Sequence, residues 1–529
     1  MRSFQDYWKK YAAWWQHQDT VAQWQIFGVL IATVLGAAYR LAYLPETLQF
    51  LGDQGRDAII AYGILHGDFT LVGPSTSVGS MFLGPLYYYF MAPWLLLSGF
   101  NPLGPAYAIA FIGILTVPLM YVVGKKLIGG APAFLATLLY TFAPYVLVYT
   151  RFSWNPNPAP IITLAMLYAG WKAWKGSAWW WVGVALGWLI MIQLHYVALL
   201  SAVPFGLFWL FDLRRSLQAK DQARLLILGK TLLASLGLLF LSLVPLILFD
   251  FRFHHVIVKG FVDFLDGDPT AEKLPLAQRV TAFFREHQGR GMHVLFEIWG
   301  AEWTQWYRQI NSSLLSAYGL FLALLWPWYR RSKFHSGFWL IVLFFLTSLS
   351  GLATYSGTLH HHYITYLYPI SYYVSGLVMY SMVKNLRWLG VVLASLLFIY
   401  ISWIQVQPAQ MSYLQPMGWQ ITDMKRVAKI IQDRLPKDKT YTLASLSEFR
   451  DYRGMNYRYF LVASDHPPVA LEEFAQADLL VVVAENPTQP ELVLNSPAYE
   501  IQDYPRGGWE KIDLENGPSL YFIGRQTTQ

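Results

Sequence analysis

The chain has 529 residues, of which 55% are hydrophobic, 17% aromatic and only 13% charged, with a formal net charge of +7 and a mean hydropathy of +0.33. That balance excludes an ordinary soluble protein of this size and points to a mainly α, polytopic helical membrane protein. Cysteine is absent, which excludes a disulfide framework, thiolate chemistry and Cys-ligated metal; the cations lie mostly between apolar segments, where they report topology rather than an affinity for nucleic acid.

Residues 1–23 are polar and aromatic (Trp8, Lys9, Lys10, Trp14, Trp15) and are expected to lie as a cytoplasmic amphipathic helix on the bilayer, with no cleavable signal peptide evident. Segment 24–44 is the first one apolar and long enough to cross, since about 20 residues are needed. Lys9 and Lys10 before it, and Glu46 and Asp53 after it, put the N-terminus in the cytoplasm and the next loop outside.

At that outer end stands Phe50-Leu51-Gly52-Asp53-Gln54-Gly55-Arg56-Asp57-Ala58, where Asp53, Arg56 and Asp57 concentrate charge in a chain that has little of it. Misplaced charge costs a membrane protein several kcal/mol, roughly. An active-site carboxylate and a solvated loop that ends a helix are the two readings open from charge alone. The first outer loop, 45–104, is expected to hold a short helix over 57–66 with Asp57 as its cap. A Gly/Ser/Thr/Pro loop over 69–80 follows, then an apolar stretch over 81–98, interrupted by Gly84, Pro85 and Pro93, that lies along the outer leaflet.

The remaining spans alternate at 105–123, 132–149, 158–174, 178–196, 198–211, 231–249, 312–328, 338–355, 364–382 and 389–403. That gives about 11 transmembrane helices in a region covering 24–407, with a long outer loop at 251–309. Basic residues (Lys125, Lys126, Lys172, Lys175, Arg214, Arg215, Arg224, Arg330, Arg331, Lys384) gather on one side, as cytoplasmic loops require. From 408 to 529 the pattern changes to a small extracytoplasmic α/β domain. Its helix is expected over 419–435, with strands at 439–445 and 478–484. A hairpin within 499–524 turns at Glu515-Asn516-Gly517.

Topology then sorts the unusual polar residues. Asp53, Arg56, Asp57, Arg151, Asn155, His195, Asp250, Arg252, His254, His255 and the triplet His360-His361-His362 all fall on the outer side, from the ends of different segments. Such a set suits a cavity at the outer surface that receives an anionic, lipid-linked substrate. Each also has a plainer reading: Arg151 as an interfacial anchor, His195 as a hydrogen-bonded core histidine, Asp57 as a cap. The adjacent histidines do not face one way, and no metal ligand is assigned to them.

At these residues the chain resembles the GT-C class of membrane glycosyltransferases, in the group of protein O-mannosyltransferases and the aminoarabinose transferase of lipid A. Gly52-Asp53-Gln54-Gly55-Arg56-Asp57 stands where that class carries an acidic motif after its first span. Leu83-Gly84-Pro85-Leu86-Tyr87-Tyr88-Tyr89, Arg151-Phe152-Ser153-Trp154-Asn155-Pro156-Asn157 and His362-Tyr363-Ile364-Thr365-Tyr366-Leu367-Tyr368-Pro369 follow in the order the class shows. Two departures stand out: Gln54 replaces a common second acid, and Gly84 replaces a lysine of the lipid A enzyme.

The resemblance implies transfer of a monosaccharide from a polyprenyl-phosphate donor to a lipid, protein or glycan acceptor at the extracytoplasmic face of the cell membrane, without nucleic acid. It implies Asp53 as the general base, with Arg56, Arg151, Arg252 or a protonated histidine on the phosphate side. Asp57, Asn155, His195, His255, His362 and Tyr363 complete the substrate-binding candidates. A donor that already carries phosphate makes a cofactor less necessary, and a divalent metal stays open. A transporter or flippase of lipid-linked sugars, or a non-catalytic membrane subunit, is the alternative function.

Overall fold

The computed structural model describes residues 19–76, 81–266, 325, 335–354, 361–405, 414–415, 419–447, 451–485, 489–515 and 517–526. The expected N-terminal helix (apart from its last residues), the span at 312–328 (Leu325 excepted), most of the loop at 251–309, and His360 lie outside them.

The first helix, α1 (Thr20–Leu41), starts where Asp19 accepts a hydrogen bond from Ala22 N at 2.7 Å, and it stops before Tyr43, whose φ of 51° is left-handed. The outer loop then builds α2 (Gly52–Leu65) and α3 (Leu86–Leu97). The membrane region continues with α4 (Leu103–Leu127), α5 (Gly130–Phe142), α6 (Ala159–Lys175), α7 (Trp180–Leu194), α8 (Ala202–Gln218), α9 (Gln222–Arg252), α10 (Val256–Asp266), α11 (His335–Thr354) and α12 (Tyr368–Gln405).

Among the described residues, five helical segments are long and apolar enough to cross a membrane by length and composition: Thr20–Leu41, Leu103–Leu127, Tyr196–Gln218, Gln222–Arg252 and His362–Leu396. The expected spans at 132–149, 178–196 and 338–355 fall on shorter apolar helices. The two expected at 364–382 and 389–403 are the halves of α12, which breaks at Arg387 (φ 54°, ψ −128°) and folds back until Gly390 abuts the Met382 carbonyl. On α9, Leu232, Leu233, Leu236, Phe240 and Leu241 stay exposed, as a helix facing lipid requires.

Opposite ends of α6 and α7 are closed differently. At one end Asp212, fully buried on α8, accepts from Arg224 Nε at 2.8 Å, Arg224 Nη2 at 2.7 Å and Trp181 Nε1 at 3.1 Å. Arg224 also donates to the Ala173 and Gly176 carbonyls at the end of α6, satisfying acceptors that a helix C-terminus leaves open. At the other end, about 25 Å away by helix rise, lie the candidate outer residues.

The C-terminal part holds α13 (Ile421–Arg434), β1 (Tyr441–Leu446), α14 (Met455–Val462), β2 (Leu479–Ala484), β3 (Arg506–Asp513) and β4 (Ser519–Arg525). Strand order is β1-β2-β4-β3, with β1 and β2 parallel and the β3–β4 hairpin antiparallel. The expected strand pair within 499–524 begins only at Arg506, because Tyr499–Gln502 is a helical turn. Parallel pairing of β1 and β2 demands a crossover, and α14 supplies it. One continuous core joins this part to the outer loop: Phe50, Ala58, Tyr87, Tyr88 and Met91 pack in the same cluster as Ile421, Tyr457 and Tyr459.

Candidate active site

Helix α2 carries the opening polar stretch. Leu51 is extended, and Gln54 Oε1 accepts the Leu51 N–H at 3.0 Å, closing the first turn. Gln54 is buried there, in the position where Gln or Glu closes a capping box. Its amide therefore has a structural task, whatever a second acid does in the resembling class. The helix begins at Gly52, a turn earlier than expected, so Asp57 is not its cap; Asp57 sits in the second turn, fully buried.

Arg56 joins the two carboxylates. Its Nη1 donates to Asp53 Oδ1 at 2.9 Å, while Nη2 and Nε donate to Asp57 Oδ1 at 2.7 and 3.0 Å. The side chain of Asp53 is 49% exposed and that of Asp57 is at 0%. One acid is thus presented outward at a helix N-terminus, where negative charge is favoured, and the other anchors the arginine from below. Burial pushes Asp57 up to about 6, against the pull of Arg56, and Tyr88 of α3 lies beside the pair.

That raised value fixes a sign. The folded state holds a proton on Asp57 more tightly than the unfolded chain, whose carboxyl titrates near 3.8. Stability contributed by this group therefore falls as pH rises from about 4 through about 6. Relative to Asp57→Asn, the wild-type chain is expected to lose roughly 2–3 kcal/mol across that window. Thermal unfolding of both proteins from pH 4 to 7 in one detergent measures the difference; parallel curves would contradict it.

The Leu83-Gly84-Pro85 stretch presses against the end of α7. A Cβ on Gly84 would meet Gln193 Oε1 at 2.5 Å, and Gln193 accepts from Leu86 N and donates to Ser242 Oγ at 2.9 Å. The space that a longer side chain would enter at 84 is occupied by Gln193. Tyr87, next along, pairs with Ser153 Oγ at 2.7 Å.

The expected residues His195, His362 and Tyr363 come together beside Trp154. Trp154 and His362 lie 4.3 Å apart between ring centroids, His362 and Tyr363 4.5 Å, and His195 and Tyr363 4.7 Å. Asn155 Nδ2 donates to the Leu194 carbonyl, and Thr365 Oγ1 to the Pro156 carbonyl at 3.1 Å, tying the loop after Arg151 to α7 and to the start of α12. His195 Nδ1 accepts from Val197 N at 3.2 Å, as its plainer reading expects.

Other candidates are placed apart. Buried Arg151 donates to the Tyr39 and Ala42 carbonyls and to Thr47 Oγ1, fastening the C-terminal end of α1. Arg252 stacks on Phe253, and His255 pairs with Asp250 at 3.0 Å where the left-handed residues His254 and His255 turn α9 into α10. Among the described residues, no group of three or more His, Asp or Glu is arranged to hold a metal ion; Arg56 already supplies the cation between Asp53 and Asp57.

The sequence reading missed the C-terminal contribution. Asp451, in the loop from β1 to α14, caps α14 by accepting from Met455 N at 2.7 Å, and its Cγ lies 2.7 Å from where a Cβ on Gly52 would be. A Cβ on Gly55 would come within 2.5 Å of Asn456 N and collide with the Met455 carbonyl. Gly55→Ala is expected to cost about 1–3 kcal/mol or more, because backbone must move. It should raise hydrogen exchange in α14 first; unchanged exchange there would refute the close approach.

No protein-family model matches the chain, and no curated protein does. Solved structures match. The oligosaccharyltransferase AglB from Archaeoglobus fulgidus, in complex with an inhibitory peptide and a dolichol-phosphate, is 13% identical, with 88% of this chain and 70% of that chain covered at a TM-score of 0.51. ArnT from Cupriavidus metallidurans, bound to undecaprenyl phosphate, is 12% identical, with 94% of this chain and 98% of that chain covered at a TM-score of 0.49. At such an identity the likeness to AglB speaks for the fold alone: a largely helical, membrane-type chain with a small C-terminal sheet.

Proposed function

We propose that this chain is a membrane glycosyltransferase that moves a monosaccharide from a polyprenyl-phosphate donor to an acceptor hydroxyl. The observation that carries the reading is the Asp53–Arg56–Asp57 arrangement: one half-exposed carboxylate at a helix N-terminus, held by an arginine that a buried carboxylate anchors. It stands in a fold shared with AglB, whose structure contains a dolichol-phosphate.

In this reading Asp53 takes the proton of the acceptor hydroxyl as its oxygen attacks the anomeric carbon. The bond from that carbon to the phosphate oxygen breaks, and the electron pair leaves on the phosphate. Arg56 orients Asp53. The shelf of His195, His362, Tyr363 and Trp154 offers aromatic faces and ring nitrogens to the sugar–phosphate end of the donor. Arg151 and Arg252, expected on the phosphate side, act further out in this scheme: Arg151 by holding α1, Arg252 at the α9–α10 turn. No cofactor is needed for the step as written. The site faces the extracytoplasmic side of the cell membrane, with the N-terminus in the cytoplasm.

Mass analysis of glycans and glycolipids from cells with and without the chain tests the reading. A sugar-bearing product lost with the chain and restored by it supports transfer; an unchanged set of products overturns it.

A further inference from the structure

The C-terminal α/β part has so far been only a neighbour of the site. Its parallel strands end on the α2 side: β1 runs to Leu446, and the chain returns through Asp451-Tyr452-Arg453-Gly454 before α14 begins at Met455. The carboxyl ends of parallel strands are where such sheets commonly present functional groups. Here the group presented is Asp451.

We propose that Asp451 is a positioning residue for Asp53: the C-terminal part lays a second carboxylate against the first turn of α2, and its charge confines the Asp53 carboxylate to the side of Arg56 and the open face. This deepens the base assignment made above and rests on it.

Three observations support it. Asp451 is fixed, since Met455 N at 2.7 Å holds its Oδ2 as the cap of α14. It is close, since its Cγ and Oδ2 lie 2.7 and 2.8 Å from the missing Cβ of Gly52, the residue before Asp53. And the docking is tight, since α14 meets α2 backbone at Gly55 while Tyr459 Oη donates to the Phe100 carbonyl at 2.6 Å. A negative group fixed against Gly52, the residue before Asp53, acts on Asp53 through space, and Arg56 Nη1 stands 2.9 Å from Asp53 Oδ1. Like charge on one flank and opposite charge on the other leave the carboxylate one favourable direction. Positioning of this kind governs rate steeply, because misplacement by about 1 Å costs on the order of a hundredfold.

The surrounding charges are few. Arg56 and Asp57 belong to α2 and Tyr88 to α3. Beside Asp451 are Arg453, paired with Glu500 at 3.0 Å, and Arg458 of α14. Burial pushes Asp451 upward, the Asp53 charge pushes the same way, and the N–H groups of Met455, Arg453 and Asn456 pull it back.

The experiment uses the purified full chain in detergent. Carboxyl labelling by a water-soluble carbodiimide with glycine ethyl ester, read at Asp451 by peptide mass spectrometry, gives its titration midpoint in wild type and in Asp53→Asn. Removing the facing charge should lower the midpoint; an unchanged midpoint overturns the proposal and leaves the base assignment standing. The second arm is Asp451→Asn, which keeps a capping oxygen at the start of α14. With lipid-linked sugars extracted from the same membranes as donor, kcat should fall about tenfold or more at unchanged donor KM. Loss of folded protein with unchanged kcat would make Asp451 a cap only and overturn the proposal. Transfer retained in Asp53→Asn would refute the base assignment instead, whatever the titration shows.

Discussion

Replacing Asp53 by Asn is expected to lower sugar transfer by a hundred- to ten-thousandfold, roughly the contribution of a positioned general base, while folded protein and donor binding stay near wild type. The substitution keeps size and shape at a half-exposed position, so little packing changes. It removes the proton acceptor and one of the two carboxylates that hold Arg56, and Asp57 still fixes that guanidinium through Nη2 and Nε. The helix start is closed by Gln54, not by Asp53, and survives the change. A loss of activity therefore reports chemistry rather than collapse. Initial rates, thermal unfolding and binding of the lipid donor, measured on the same preparation, separate the two. Transfer at wild-type rate would remove Asp53 from the mechanism.

At the far end of the bundle, Asp212→Ala is expected to destabilise the protein by about 3–5 kcal/mol. Asp212 is fully buried and accepts two hydrogen bonds from Arg224, whose side chain is itself only 16% exposed. Without the carboxylate, a mostly buried guanidinium keeps only the Ala173 and Gly176 carbonyls among the partners described, and Trp181 Nε1 loses its acceptor. The contact with Arg215, at 3.2 Å and with that side chain 48% exposed, adds little. Asp212→Asn, which retains an acceptor, should lose less. Thermal unfolding in detergent ranks the three proteins; an alanine variant as stable as wild type would show that the cluster is solvated.

Much of this arrangement was legible in residue order. Apolar runs placed the membrane helices, because a bilayer leaves a helix few ways to satisfy its backbone. The two runs expected at 364–382 and 389–403 correspond to the two halves of α12, which part at the non-helical Arg387. Charge economy singled out Asp53, Arg56 and Asp57, and these do converge. The assignments within that triad were harder. Asp57 looked like a cap because acids favour helix starts, and only the Gln54–Leu51 contact shows that the helix begins sooner.

The contribution of Asp451 was invisible for a different reason. It reaches Gly52, the residue before Asp53, from almost 400 residues away, through a β1–α14 crossover whose aromatic helix, Met455–Val462, has little amphipathic pattern to announce it. The available signal was the polar, glycine-ended run Asp451-Tyr452-Arg453-Gly454 after a buried strand, and it says where a loop lies but not what it meets. The convergence of Trp154, His195, His362 and Tyr363 was similarly half-visible: sidedness placed His195 and His362 on one face, and contact distances alone made them neighbours of each other and of Trp154 and Tyr363.

The most direct test of the central claim follows the leaving group. Purified full-length protein in lipid vesicles, given polyprenyl-phosphate-linked sugars and a membrane extract as acceptor, should release one free polyprenyl phosphate for each sugar bound to acceptor, both counted by mass spectrometry. Asp53→Asn should release neither. Equal release by both proteins, or movement of intact lipid-linked sugar across the vesicle without cleavage of its phosphate bond, would contradict the account.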